Sequence, residues 1–247
     1  MNAMRHVLAV AGSDSSGGAG IVRDIETLAA FGVKASVAIT AVTVQTHDHV
    51  QQVDAVAPDR VAQQMRAALS ANPIAAIKIG MLATSATIAA VVTVLADYPG
   101  IPVVLDPVLV STSGRALLTP DAMDDLRELF RSCTLITPNL PELSVLAAPA
   151  GTTSSDSMAD QARSLLTAGA KAVLVKGGHG DGAESIDILF QADHAGQSFA
   201  SPRLAATMRG TGCTLASAIA ARLALGDTLS MAVAEGKAFV HRMLRET

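Results

Sequence analysis

VLAVAGSDSSGGAGIVRDIETLAAFG, residues 7–32, is the stretch whose reading decides the fold. Residues 7–11 are uniformly apolar, as in a strand buried on both faces. Residues 12–20 hold four glycines and three serines, the composition of a tight loop. From Gly18 to Ala30 the apolar residues recur at helical spacing, and Gly32 stands just past the end, where a left-handed cap is favoured. Strand, small-residue loop and helix in this order are the first half of a βαβ unit.

The same alternation continues to the far end. Strand-like runs fall at residues 35–44, 76–79, 103–105, 134–136, 172–175, 186–191 and 197–201. Helix-like segments fall at residues 58–70, 85–97, 120–131, 141–146, 157–168, 214–225 and 229–245. Pro58 and Pro120 suit a first helical turn, and Gly169 and Gly226 suit helix ends. The pattern predicts an α/β fold with a mostly parallel sheet covered by helices on both faces. Residues 186–201 read as a late antiparallel hairpin turning across residues 192–196. The Gly/Ser/Thr/Pro stretch at residues 147–157 reads as an internal loop, so residues 1–247 are expected to form a single domain.

Composition narrows the function. Half of the 247 residues are hydrophobic, with no Trp, one Tyr and five Phe, so the core is aliphatic. The net charge of −4, with no Lys/Arg cluster, argues against a nucleic-acid or acidic-membrane surface. Two cysteines, Cys133 and Cys213, make neither a disulfide framework nor a zinc site, and a reducing, cytoplasmic setting is expected. The apolar run at residues 7–11 is too short for a signal-peptide core. The best candidate for a membrane span, residues 88–105, is broken by Asp97, Pro99, Gly100 and Pro102.

In open parallel sheets ligands bind beyond the carboxyl ends of the strands, so polar segments that directly follow strands matter most. The loop at residues 12–20 lets backbone N–H groups approach a ligand at a helix N-terminus, or is simply a tight turn. Neither a P-loop nor a dinucleotide fingerprint occurs. Residues 209–214, RGTGCT, open a helix, and their amides suit a phosphate or a developing oxyanion. Cys213 lies in that first turn, where the helix dipole is expected to lower a thiol pKa, although a small buried residue is an equally good reading. Asp106 and Glu142 follow successive strands as oxygen ligands for hydrated Mg²⁺ would. Their plainer readings are a turn or cap residue for Asp106 and, for Glu142, a charge at a helix N-terminus complementing the dipole. Lys176 ends an apolar run and offers a cation to a phosphate. Arg209 offers a bidentate phosphate grip or is a solvated loop residue.

Seven stretches together resemble the ribokinase-like superfamily, and within it the hydroxymethylpyrimidine/phosphomethylpyrimidine kinases: AGSDSSGGAGI (11–21), ITAVTVQ (39–45), KIGML (78–82), VVLDPV (103–108), ITPNLPE (136–142), VKGGH (175–179) and GTGCTLASAIAA (210–221). The resemblance implies a three-layer α/β fold, a homodimer, and transfer of phosphate from MgATP to a hydroxymethyl-aminopyrimidine and then to its monophosphate. By matching position, Gly210, Gly212 and Cys213 form the anion hole, and Gly12, Asp24, Gln45 and Met81 line the substrate pocket, with Gln45 reading the ring. Asp106 and Glu142 hold Mg²⁺, while Asn139, Lys176 and Thr211 contact ATP. The related pyridoxal kinases, and a non-catalytic pyrimidine sensor, are the alternatives. The chain departs from the family at residues 206–209, Ala-Thr-Met-Arg where relatives carry Lys-Asn-Thr-His, and at residues 22–26, Val-Arg-Asp-Ile-Glu where they carry Gln-Ala-Asp-Leu-Lys.

Overall fold

Val7, Leu8, Ala9 and Val10 are all fully buried, so the first strand has no solvent face and is covered by helices on both sides. A computed structural model of the chain describes residues 4–149, 153–179, 182–192, 194–206 and 208–247. The elements are β1 (His6–Ser13), α1 (Gly20–Ala30), β2 (Lys34–Gln45), β3 (Val50–Ala55), α2 (Pro58–Ala71), β4 (Ile74–Ile79), α3 (Ser85–Ala96) and β5 (Val103–Leu105). Then come α4 (Met123–Leu129), β6 (Leu135–Ile136), α5 (Leu140–Ala147), α6 (Met158–Thr167), β7 (Ala172–Val175), β8 (Glu184–Gln191), β9 (His194–Pro202), α7 (Thr211–Leu225) and α8 (Leu229–Arg245).

One nine-stranded sheet runs β3-β2-β1-β4-β5-β6-β7-β8-β9. Its centre, from β2 to β7, is parallel, whereas β3, β8 and β9 pair antiparallel at the two edges. Strand alternation divides the core. Leu8, Val10, Ile77, Ile79, Val103, Leu105 and Val173 pack with α2 to α6. Val7, Ala76, Val104, Leu135 and Leu174 face the other way, against α1, α7 and α8. The expected α/β sheet is therefore present, with its layers on both faces.

The late antiparallel hairpin forms, but β9 begins at His194, inside the turn expected at residues 192–196, of which residue 193 lies outside the described residues. β3 has no counterpart in the sequence reading, which assigns no element between the strand run at residues 35–44 and the helix starting at Pro58. Its sequence, VQQVDA, is mostly exposed on both faces, so no apolar alternation marks it. The single helix expected at residues 120–131 is instead α4 flanked by two short 3-10 turns, Pro120–Ala122 and Phe130–Ser132. Residues 150–152, inside the expected loop at 147–157, and Thr207 lie outside the described residues.

Candidate active site

The parallel strands all point their carboxyl ends the same way, and the candidate residues stand on that rim. Gly12 lies in β1, Gln45 ends β2, Met81 follows β4, Asp106 follows β5, Asn139 follows β6 and Lys176 follows β7. The main chain continues the pairing past the last two strands, with a parallel bridge between Asn139 and Lys176 and Lys176 N–H donating to Pro138 O at 2.9 Å. These residues border one cleft of about 590 Å³, which the first turn of α7 closes from behind.

Gly210 is the N-cap of α7, with φ 75° and no side chain to cap the helix. A Cβ there would lie 2.5 Å from Gly18 O, so only glycine lets this turn close on the glycine-rich loop. The Thr214 N–H reaches Gly210 O, whereas Thr211, Gly212 and Cys213 carry first-turn N–H groups of the kind a helix leaves without intrahelical partners. With the helix dipole behind them, they are suited to receive negative charge at the base of the cleft.

On one side of that turn stand the charged groups. Lys176 Nζ donates to Asp106 Oδ1 at 2.7 Å and lies 3.8 Å from Glu142 Oε2. A Cβ on Gly212 would come within 3.2 Å of the ammonium and 3.3 Å of Asp106 Oδ2, so the helix turn backs directly onto this pair. Burial works against the Lys176 cation, yet Asp106 and Glu142 outweigh it and hold its pKa above the usual lysine value. Burial pushes the Glu142 carboxyl up, with Lys176 opposing. Glu142 also completes a capping box: it accepts from Asn139 N at 2.8 Å while Asn139 Oδ1 accepts from Glu142 N at 2.8 Å. Glu142 thus stands at the helix N-terminus as the charge expected there and in addition caps it, while Asn139 borders the cleft. Among the described residues no three His, Cys, Asp or Glu side chains gather as a metal cluster.

On the other side lies a more apolar wall. Met81 Sδ would sit 3.1 Å from a Cβ on Gly12, so the missing side chain at Gly12 gives the thioether its place. Gln45 is fixed through its main chain, with Ser15 Oγ donating to Gln45 O at 2.7 Å and accepting from Gln45 N at 2.8 Å. Gln45 borders the cleft, and its Oε1 accepts from Thr43 Oγ1 at 3.4 Å. His47 and His49 remain exposed beyond it.

Two expectations need correction. Asp24 does not face the cleft. It is fully buried on the α1 stripe that also carries Ile21 and Leu28, paired with Lys78 Nζ at 2.8 Å and accepting from Ser217 Oγ at 2.8 Å. Lys78 is the residue of this pair that borders the cleft, and it had been assigned no role. A lysine inside an apolar strand and an aspartate at the buried helical spacing were the available signal, since each needs the other. The second correction concerns Cys213. Burial pushes its thiol up to about 11, against the pull of Lys78 and a backbone hydrogen bond to Gly20, where the position at a helix N-terminus predicts a lowered value.

Arg209 is not a solvated loop residue. Nη1 donates to Thr46 O at 2.9 Å and Ser16 Oγ at 3.2 Å, and Nη2 lies 3.5 Å from Asp14 Oδ2. A second cavity of about 430 Å³ opens across Thr211 and Gly212, between α7, α8 and the β8–β9 hairpin. Apolar Leu204, Leu215 and Val240 border it, beside an Asp187–Lys237 ion pair at 2.9 Å. The two cavities meet at Lys176, Gly178 and the start of α7.

Residues 14–247 match the model of the family described as phosphomethylpyrimidine kinase. A hydroxymethylpyrimidine/phosphomethylpyrimidine kinase of Rhizobium meliloti is 43% identical over 235 residues, covering 95% of this chain and 88% of the relative. The crystal structure of phosphomethylpyrimidine kinase from Clostridium difficile superposes with a TM-score of 0.81 at 34% identity, covering 98% of this chain and 99% of that one. Pyridoxal kinase from Staphylococcus aureus, in complex with AMP-PCP and pyridoxal, gives a TM-score of 0.85 at 31% identity, with 97% of this chain and 87% of that one covered.

Proposed function

Because the chain belongs to the phosphomethylpyrimidine kinase family, we propose that it is a cytoplasmic, homodimeric, single-domain kinase that transfers the γ-phosphate of ATP to a hydroxymethyl-aminopyrimidine and then to its monophosphate. The observation that carries this reading is the uncapped N-terminus of α7, standing between an apolar, amide-bearing wall and a Lys/Asp/Glu cluster. Phosphoryl transfer needs this arrangement, with an acceptor pocket and a donor pocket meeting at a fixed receptor for the moving charge.

The ring lies against Gly12 and Met81 with its amine and nitrogen paired to the Gln45 amide. The nucleoside of ATP occupies the second cavity, and its phosphates pass Lys176, Thr211 and Asn139 into the first. The N–H groups at Gly212 and Cys213 take the charge that builds on the transferring group. The hydrogen bonds of Asp106 fall on Oδ1, which leaves Oδ2 beside Gly212 for a ligand. With Glu142 it fits a partly hydrated Mg²⁺, which keeps waters and phosphate oxygens in most of its positions. The ion would supply charge neutralisation of the phosphates. As the alcohol oxygen bonds to phosphorus and the bond to ADP breaks, the alcohol proton passes to Sγ of Cys213. Burial holds the pKa of the Cys213 thiol up, so its own proton passes first to water as the substrates enter, with the Lys78 cation favouring the thiolate that then takes the alcohol proton.

Measuring ADP release with the aminopyrimidine alcohol, its monophosphate and pyridoxal tests the assignment. Higher kcat/KM for both pyrimidines than for pyridoxal is expected. A preference for pyridoxal would assign the chain to the other branch, and no turnover with any of the three would favour a binding protein.

A further inference from the structure

Arg209 stands one residue before the helix cap that forms the charge receptor, yet its guanidinium is directed away from the cluster that would hold phosphates. It spans two other loops. One is the β1–α1 loop, where Asp14 Oδ1 is already held by Ser16 N–H at 2.8 Å and Ser16 Oγ at 2.7 Å, which aims Oδ2 at Arg209. The other is the β2–β3 turn, where Thr46 O accepts from Nη1 at 2.9 Å. Thr46 directly follows Gln45, whose main chain is bound on its other side to Ser15 of the same glycine-rich loop. A Cβ added to Gly18 would lie 3.4 Å from Nη1, so the arginine lies flat across the loop in space that glycine leaves free.

We infer that Arg209 is a positioning residue, a brace that ties the charge receptor at Gly210 to the ring-reading Gln45 through the glycine-rich loop. This rests on the kinase reading above and departs from the simpler idea that Arg209 grips a phosphate of the substrate. An arginine can hold both loops at once because its planar fork presents several donors in fixed directions. A lysine, with one compact ammonium, reaches one loop or the other. The brace lets the acceptor pocket take up its geometry only when the start of α7 is in place. Ring recognition and charge stabilisation are therefore coupled.

Two readouts on Arg209→Ala and Arg209→Lys test the brace. Hydrogen exchange in the ligand-free protein is expected to quicken in residues 13–20 and 45–50 for both variants, a result that does not depend on which acceptor the enzyme uses. In steady-state assays the acceptor KM is expected to rise about tenfold, what one charge-assisted hydrogen bond is worth. The rise should be equal for the alcohol and its monophosphate, with the ATP KM within twofold of the parent. Loss confined to the monophosphate would overturn the brace in favour of a phosphate grip. Loss confined to kcat or to the ATP KM would place Arg209 on the transferring group. Unchanged exchange and kinetics would leave the contacts without consequence and end the proposal.

Discussion

At the scale of single residues, the site depends on where charge is left uncompensated. Cys213 sits at a helix N-terminus, a place known for reactive thiolates, yet its thiol is pushed up to about 11 because burial is the larger effect. Since the thiolate is the nucleophile, alkylation must quicken as pH rises toward that value. Iodoacetamide labelling of Cys213, located by mass spectrometry, is expected to reach half its limiting rate above about pH 10 in the ligand-free protein. A midpoint near pH 8 would show that the dipole and Lys78 prevail over burial. Cys133 does not confuse the readout, being 1% exposed with its own thiol raised by burial. The position of Cys213 was legible in the sequence. Its ionisation was not, because desolvation depends on what the fold packs around the sulfur.

At the scale of elements, α1, β4 and α7 are locked together by one buried ion pair. Asp24 and Lys78 have no exposed side-chain area, and Ser217, one turn beyond Cys213, completes the contact. Removing one partner leaves the other buried and unpaired, so Lys78→Met is expected to cost about 3–5 kcal/mol in denaturant unfolding. The double change Asp24→Leu with Lys78→Met is expected to recover most of that. A loss below about 1 kcal/mol for Lys78→Met alone would mean water reaches the pair. The elements show where sequence reading succeeds and fails. Parallel strands such as β5 and β7 are apolar throughout and unmistakable. β3 is an edge strand with a solvated surface, so nothing in VQQVDA distinguishes it from loop. Asp24 was placed at the substrate by its motif, but the spacing Ile21, Asp24, Leu28 already put it on the buried stripe. The partners of Arg209 were illegible, since Asp14, Ser16 and Thr46 meet it only when three loops converge.

At the scale of the whole molecule, the parallel order of the sheet brings Gly12, Gln45, Met81, Asp106, Asn139 and Lys176 to one rim, although they span most of the chain. The antiparallel additions at each edge take different parts. The β2–β3 turn is tied to the start of α7 through Thr46 and Arg209, and the β8–β9 hairpin walls the second cavity. No helix among the described residues is long and apolar enough to cross a membrane. The central claim is that acceptor and donor meet at the first turn of α7. The crystal structure of the protein with AMP-PCP and the aminopyrimidine alcohol tests it most directly. The account predicts the γ-phosphate within hydrogen-bond reach of the Gly212 and Cys213 N–H groups, the ring amide-paired to Gln45, and the nucleoside between α8 and the β8–β9 hairpin. Phosphates bound away from α7, or a ring that does not touch Gln45, would contradict it.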